Sequence, residues 1–372
     1  MRGPTFRDKL AVGGPKKLLA LDGGGIRGRI AIEFLARIES ELRVALGRAD
    51  FVLADYFDYV GGTSTGAIIG ALVALGMPVA QIREFYVTRA KAMFARASVL
   101  QRFRSKYASG EFAKALREVF GDATLGSDRL RTLLLLVMRN ASTDSPWPLS
   151  SNPNAAFNEP SRPDCNLRLP LWQLVRASAA APVYFPPEVI DVGEQRFIFV
   201  DGAVTMYNNP AFLLFMMATL EPYRLQWPVG EAKLLLVSVG TGLSRRVDAN
   251  LRTGHMHILY NAGSIPSALI YSALVEQDKL CRVFGRTRAG ARIDSEIGDL
   301  SAVAELLSPK LFTYARYNIA LSRSELDRLG FRDIPEEELR ALDRADRVEE
   351  LGQLGAAAAE SLVNIRHFDG FL

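Results

Sequence analysis

The sequence predicts an α/β fold in which helices cover both faces of a largely parallel sheet. Two observations lead to this prediction: short apolar runs alternate along the chain with segments of helical periodicity, and each run is continuously apolar. Such runs are typical of strands buried on both faces, as in parallel sheets. The predicted strands are Lys16–Leu21, a short segment before Gly61, and residues 131–139, 196–200 and 233–239.

Helices are predicted between these strands and through most of the chain after them. The predicted helices before residue 243 are 29–46, one after Gly66, one opened by Pro78, 171–180 and 209–220. Near the end of the chain, Ser322 with Glu325 and Asp333 with Glu336 have the spacing of capping boxes. Residues 142–168 are rich in Pro, Ser and Asn and are expected to form a long loop near the site.

Composition bounds the class of protein. The chain has 372 residues, 49% of them hydrophobic and 23% charged, with a net charge of +4 and a pI near 9.0. This balance is too weakly basic to predict a nucleic-acid polymer as partner, but it suits an anionic lipid surface. Two cysteines and no metal-ligand spacing favour a reduced, cytoplasmic protein without a metal.

Contact with a membrane is expected to be peripheral. The first residues lack the apolar stretch of a secretory signal. The longest apolar runs, 67–77 and 211–220, are much shorter than the roughly 20 residues that a membrane span requires. The basic segment 89–106, which contains aromatic residues and no acid, is either a contact for anionic lipid or a solvated helix face whose apolar residues pack inward.

The sequence around Ser64 has the pattern of a nucleophile elbow. Gly62-Thr-Ser64-Thr-Gly66 stands between a β-type segment and an apolar helix, the context in which G-x-S-x-G presents a reactive serine. Gly62 and Gly66 lack a Cβ, so strand and helix can approach closely. The alternative is a turn without chemistry.

A glycine loop directly follows the first predicted strand. Gly23, Gly24 and Gly25 can present backbone N–H groups to a negatively charged oxygen, and Arg27 can brace the loop or add positive charge. The spacing through Gly28 also fits the dinucleotide pattern G-x-G-x-x-G. That alternative requires an acid at the end of a second strand, whereas the nearest candidate, Glu41, falls within a predicted helix.

Ser64 needs a base to act as a nucleophile. Asp201 follows a predicted strand and precedes Gly202, and it can act alone or in a Ser-Asp-His order with one of the three histidines, His255, His257 and His367. An aspartate with its ordinary pKa of about 3.9 is a poor base at neutral pH. Desolvation in an apolar pocket would raise that pKa.

Together these motifs resemble the patatin-like phospholipases. The similar segments are Asp22-Gly-Gly-Gly-Ile-Arg-Gly28, Gly62-Thr-Ser-Thr-Gly66, Ala177-Ser-Ala-Ala-Ala-Pro182 with Tyr184-Phe-Pro-Pro187, and Asp201-Gly-Ala203, in this order. The resemblance implies a three-layer α/β/α fold and hydrolysis of acyl esters of lipids without a metal. It implies Ser64 as nucleophile, Asp201 as base in a dyad without histidine, and Gly23 to Gly25 as the oxyanion hole. The supporting residues would be Arg27, Gly28, Gly62, Gly66 and Gly202.

The resemblance predicts how the chain is organised and what it does. Residues 16–242 would be the catalytic core, and residues 243–372 a mostly helical region packed on it within one domain. We expect a phospholipase A or lysophospholipase without a cofactor, cytoplasmic and peripherally bound to membranes. The alternative is a catalytically silent protein that binds a lipid or a nucleotide on the same scaffold. The helical region could carry a switch or a contact between copies of the chain.

Overall fold

A computed structural model describes residues 5–11, 13–94, 106–182, 184–243, 251–301 and 308–372, and within these residues the strands form one nine-stranded sheet. The strands are β1 Lys16–Leu21, β2 Tyr59–Thr63, β3 Leu133–Asn140, β4 Ser145–Ser150, β5 Glu188–Val192, β6 Gln195–Asp201, β7 Leu234–Val239, β8 Gly285–Ala289 and β9 Phe312–Tyr317. The helices are α1 Phe6–Leu10, α2 Gly28–Ala45, α3 Leu53–Tyr56, α4 Thr65–Ala74, α5 Val79–Phe94, α6 Lys106–Phe120, α7 Leu171–Ser178, α8 Ala211–Thr219, α9 Ile258–Phe284, α10 Arg323–Arg328, α11 Glu336–Arg340 and α12 Val348–Leu362.

The central sheet is mostly parallel, as predicted. Its order is β5-β6-β3-β2-β1-β7-β9-β8, and β4 pairs with β3 outside this path. The six strands from β3 to β8 in this order are parallel, whereas β4, β5 and β6 pair antiparallel. The mixed α/β class inferred from the apolar runs is therefore confirmed.

Helices cover both faces of the sheet and define two cores. On β1, Leu19 and Leu21 belong to the larger core with helices α2, α4 and α12, whereas Leu18 and Ala20 point to the opposite core with α8. This alternation is the period-two geometry of a strand buried on both sides. Every residue of α4 is buried, and an apolar sequence on all sides of that helix suits its central position.

The segment predicted as a long loop contains a strand. Residues 145–150 form β4, which pairs antiparallel with β3. Its prolines, Pro146 and Pro148, cannot donate to a ladder, and proline in a sheet is confined largely to edge strands. The sequence of β4 therefore resembles a loop, although its backbone extends the sheet.

The region after residue 242 contributes strands as well as helices. β8 and β9 extend the parallel sheet beyond β7. The predicted capping boxes are wrong in detail: Ser322 precedes α10 without a capping hydrogen bond from its side chain, and α11 begins after Pro335 rather than after Asp333. Most of the basic segment 89–106 lies outside the described residues.

Candidate active site

Ser64 lies on a sharp turn between β2 and α4. Its backbone φ is 56° and its ψ is −123°, a left-handed conformation that a non-glycine residue rarely adopts. Such strain persists only where the surroundings enforce it, and it is the geometry of a nucleophile elbow. The side chain of Ser64 is buried in the fold but lines a cavity.

Close packing around the turn explains two of the predicted glycines. A methyl group on Gly62 would overlap the carbonyl of Gly66, and one on Gly66 would overlap the carbonyl of Leu21 on the neighbouring strand. Both overlaps are with backbone, which cannot move without displacing β1 or α4. The turn therefore requires glycine at both positions.

Asp201 lies within hydrogen-bonding distance of Ser64. The Ser64 hydroxyl donates to Oδ2 of Asp201 at 2.6 Å, and the backbone N–H of Ala203 donates to Oδ1 at 2.7 Å. Burial raises the pKa of Asp201 to about 7, and the hydrogen bonds from Ser64 and Ala203 oppose that increase only in part. A carboxylate with a pKa near 7 has the proton affinity that a base needs at neutral pH.

The strand register explains why two residues so distant in sequence meet. Thr63, which precedes Ser64, pairs with Val137 of β3. Asp201 pairs with Met138, the next residue of β3, at the end of the antiparallel strand β6. Ser64 and Asp201 therefore approach the same point of β3 from opposite strand directions. A methyl group on Gly202 would overlap the carbonyl of Val137, which accounts for glycine after Asp201.

The glycine loop lies beside Ser64 and offers two N–H groups. The N–H of Gly23 already donates to the carbonyl of Asn208 at 3.0 Å. The N–H groups of Gly24 and Gly25 have no acceptor among the described residues. All three glycines and Arg27 line the same cavity as Ser64.

Arg27 adds a positive charge to this cavity. Its Nε and Nη1 atoms are buried and have no hydrogen-bond partner in the described part of the chain. Burial lowers the pKa of Arg27 to about 10, although the charge of Asp22 opposes the change, so the guanidinium stays protonated at neutral pH. A guanidinium with unpaired Nε and Nη1 donors at a cavity wall is suited to an anionic oxygen.

Contacts from distant parts of the chain fix the loop. The hydroxyl of Thr241, just after β7, donates to the carbonyl of Gly23 at 2.9 Å, and the N–H of Ile26 donates to the carbonyl of Leu342 at 2.9 Å. Gly25 has φ of +57°, and a methyl group there would overlap the Leu342 carbonyl. The loop thus has little freedom to move away from Ser64.

A buried ion pair fixes the start of the same loop. Arg316 on β9 donates to both carboxylate oxygens of Asp22, at 2.8 and 2.5 Å, and to the hydroxyl of Ser238 at 2.6 Å. All three side chains are buried. The bidentate geometry joins β1, β7 and β9 directly behind the glycine loop.

Ser178 supports the turn from the opposite side. The backbone N–H of Ser64 donates to the Ser178 hydroxyl at 3.0 Å, and that hydroxyl donates to the carbonyl of Val137 at 2.5 Å. Ser178 thereby satisfies a buried N–H group that the strained turn leaves outside regular secondary structure. It also links α7 to the same position of β3 that aligns Ser64 and Asp201.

The cavity above Ser64 has a volume of about 510 Å³. Most of the side chains around it are apolar, including Phe112, Phe185, Val204 and Ile270. The volume and lining are those of a small-molecule site with a few convergent polar groups. Two larger hollows, of about 810 and 790 Å³, lie elsewhere and do not include Ser64.

Two of the three histidines form contacts with groups other than Ser64 and Asp201. His257 accepts a hydrogen bond from the N–H of Tyr260 at the start of α9, and His367 is bonded to the hydroxyl of Tyr317 at 2.9 Å. The side chain of His255 lies outside the described part. Among the described residues there is no group of three or more His, Cys, Asp or Glu side chains that could hold a metal ion.

Residues 19–215, more than half of the chain, match the sequence profile of the patatin-like phospholipases. The chain belongs to the patatin-like phospholipase family. This patatin-like chain is 30% identical over 248 residues to patatin-17 of Solanum cardiophyllum and 29% identical over 248 residues to patatin-1-Kuras 2 of Solanum tuberosum. These matches cover 62% of the chain and 61% and 64% of the respective relatives, so the chain spans less than two thirds of their length.

Two solved structures resemble the patatin-like chain more distantly. Human GIVD cytosolic phospholipase A2 has a TM-score of 0.46 at 10% identity, with 96% of this chain and 63% of that chain covered. VipD from Legionella pneumophila has a TM-score of 0.37 at 12% identity, with 91% and 67% covered.

Three residues that support this patatin-like site are not marked by the sequence motifs. Ser178 was part of a family-like segment, but nothing local indicated that its hydroxyl would hold the N–H of Ser64. Thr241 follows a predicted strand, and that position at the sheet edge was a usable signal. Arg316 lies in a region predicted to be mostly helical, so its contact with Asp22 could not be found without the strand β9.

Proposed function

We propose that this protein is a lipid acyl hydrolase of the phospholipase A or lysophospholipase type, which cleaves carboxylic esters of membrane lipids. One observation carries the proposal: the Ser64 hydroxyl donates to the buried Asp201 carboxylate at 2.6 Å, on the wall of a mostly apolar cavity. Membership of the patatin-like phospholipase family supports the same chemistry. Ser64 and Asp201 then act as a catalytic dyad.

In the first half of the reaction, Ser64 forms an acyl-enzyme. Its oxygen attacks the ester carbonyl while Asp201 accepts the hydroxyl proton. The carbonyl oxygen becomes negative, and the N–H groups of Gly24 and Gly25 stabilise it, with Arg27 supplying positive charge nearby. When the intermediate collapses, the bond to the lipid alcohol breaks and that alcohol takes the proton from Asp201.

In the second half, water releases the fatty acid. Asp201 accepts a proton from a water molecule, which attacks the acyl-enzyme carbonyl. The same N–H groups stabilise the second negative oxygen. The bond to Ser64 then breaks, Ser64 recovers its proton from Asp201, and the fatty acid leaves. Each half therefore uses Asp201 once as a base and once as an acid.

The pKa of Asp201 supports the proposal that this residue acts as the base without a histidine. A general base is most effective when its pKa lies near the working pH. Burial raises the pKa of Asp201 to about 7, which removes the objection that an aspartate is too weak a base. His257 and His367 are hydrogen-bonded to Tyr260 and Tyr317, which agrees with a reaction in which Asp201 is the base.

The decisive experiment is the release of free fatty acid from defined phospholipids, with mass detection of the lyso product. We expect turnover by the wild-type protein and a loss of at least about a thousandfold in Ser64→Ala and in Asp201→Asn. Ser295→Ala and Asp191→Asn are matched controls at exposed positions and are expected to keep full activity.

An absence of turnover in the wild-type protein would contradict the proposal. The alternative that the scaffold binds a lipid or nucleotide without hydrolysis would then be favoured, provided that a fluorophosphonate probe also fails to label Ser64. If one histidine substitution abolished turnover while the fold was kept, a Ser-Asp-His triad would replace the dyad.

A further inference from the structure

The N-terminal part of helix α9 exposes apolar side chains and carries no charge. Residues 258–275 contain no charged side chain. Ile258, Ile265 and Leu269 are 82%, 51% and 65% exposed. At 3.6 residues per turn, positions 258, 265 and 269 fall on one face of the helix. These three apolar side chains are therefore aligned along the helix, and they are called the α9 stripe below.

The other half of α9 is anchored in the fold. Cys281 is buried in the core beneath the sheet, and Arg282 forms a buried ion pair with Asp278. Asp278 in turn accepts a hydrogen bond from the hydroxyl of Tyr314 on β9 at 2.9 Å. Packing and charge therefore anchor the C-terminal part of α9 to the sheet.

The α9 stripe adjoins the opening of the catalytic cavity. Pro266, Ser267 and Ile270, on the neighbouring face of the same helix, line that cavity. Helix α9 also contacts the turn after Asp201, where Val204 lines the cavity and is itself exposed. Apolar surface thus continues from the stripe into the site that contains Ser64.

We propose that the α9 stripe docks the protein on a lipid bilayer, with the catalytic cavity open toward the lipid. The choice of a lipid occupant rests on the proposed function. A bilayer seated on the stripe would present ester substrates to the adjoining opening, whereas a second protein seated there would cover it. The lack of charge over residues 258–275 favours burial at the boundary between head groups and acyl chains.

The mode of contact is adsorption by a helix lying in the interface. Among the described residues, no helix has both the length and the apolar character needed to cross a bilayer. Exposed apolar side chains on one helical face suit shallow insertion instead. The net charge of +4 would add attraction to anionic lipid.

The test measures partitioning onto vesicles of phosphatidylcholine and phosphatidylglycerol. All proteins carry Ser64→Ala, so that no lipid is consumed and binding is measured apart from turnover. We expect Ile265→Asp with Leu269→Asp to lower the partition coefficient at least about tenfold, because charged groups resist transfer into the interface. Val44→Asp, at an equally apolar position that is 80% exposed on α2, is the matched control and should bind as before.

A substitution that strengthens binding supplies an independent readout. Leu269→Trp is expected to raise the partition coefficient, and its fluorescence should shift to shorter wavelength on vesicles because tryptophan favours the interface. The double substitution Ile265→Gln with Leu269→Gln is also expected to lower the partition coefficient, although its new side chains are neutral. A shift for Leu269→Trp and a weaker partition for the glutamine pair would both support docking by the stripe.

With Ser64 intact, the ratio of vesicle hydrolysis to hydrolysis of a soluble short-chain ester should fall at least about tenfold in the aspartate pair. Equal partitioning of the aspartate pair and Val44→Asp would overturn the docking proposal. A wild-type dimer that dissociates in the aspartate pair without any change in partitioning would assign the stripe to self-association and would also overturn it. If partitioning depended on the stripe but no ester were hydrolysed, the docking proposal would be supported and the proposed function contradicted.

Discussion

Replacement of Asp201 by asparagine should make the folded protein more stable above neutral pH. The Asp201 carboxylate is buried, and the contacts that stabilise its charge are hydrogen bonds from Ser64 and Ala203 rather than a cation. Asparagine has nearly the same shape and can still accept the hydrogen bond from Ala203. It removes only the cost of keeping a negative charge in an apolar environment.

The pKa gives the size and the pH range of this effect. Asp201 titrates near 7 in the folded protein, compared with about 3.9 in an unfolded chain. Between these values the folded state binds more protons than the unfolded state, so the contribution of Asp201 to stability falls as pH rises from about 4 to 7. Three pH units correspond to an upper limit of about 4 kcal/mol. Asp201→Asn should therefore gain about 1 to 4 kcal/mol at pH 8 and little at pH 4.

Urea unfolding at pH 8 and at pH 4 measures this difference. The midpoint should rise in Asp201→Asn at pH 8 with an unchanged slope, which means that stability rather than the unfolded state has changed. Asp191→Asn is the control, because Arg196 lowers the pKa of that exposed carboxylate and its replacement should not stabilise the protein. An equal or lower stability of Asp201→Asn at pH 8, or a gain that does not shrink toward pH 4, would refute the reasoning.

Three further predictions concern the groups around the dyad. The kcat/KM for ester hydrolysis should rise with pH to a plateau with an apparent pKa near 7, as Asp201 becomes ionised, and a pH-rate profile that is flat between pH 5 and 9 would contradict it. Ser178→Ala should lower kcat about ten- to a hundredfold with little change in KM, because the N–H of Ser64 loses its acceptor; steady-state kinetics on a soluble ester test this. Arg316→Met should cost about 3 to 5 kcal/mol in unfolding free energy by leaving Asp22 buried without its partner, and adding Asp22→Asn should recover part of the loss in urea unfolding.

Much of the fold could be predicted because its main strands are marked by local apolar runs. The run predicted at 131–139 is β3, Leu133–Asn140, and the run predicted at 233–239 is β7, Leu234–Val239. The strand β4 was missed because its alternating prolines carry the composition of a loop. β9 was missed although its six residues are all buried, because Thr313 and Arg316 interrupt the apolar run that marked the other strands.

The residues of the candidate site also fall into those that local motifs predict and those that they do not. Ser64 and the glycine loop lie in short motifs whose chemistry is visible in a few adjacent residues. The supporting contacts join residues that are distant in sequence, such as Arg316 with Asp22 and Leu342 with Ile26, and no local pattern predicts them. They also show that residues beyond 242 help to fix the glycine loop. The proposed division at residue 242, within a single domain, stays a prediction.

The most direct test of the dyad is covalent labelling by a fluorophosphonate probe, followed by peptide mapping. We expect the label on Ser64 in the wild-type protein, strongly slowed labelling in Asp201→Asn, and wild-type labelling when His255, His257 and His367 are all replaced by alanine. Label on another residue, or loss of labelling in the folded histidine variant, would contradict a reaction carried by Ser64 and Asp201.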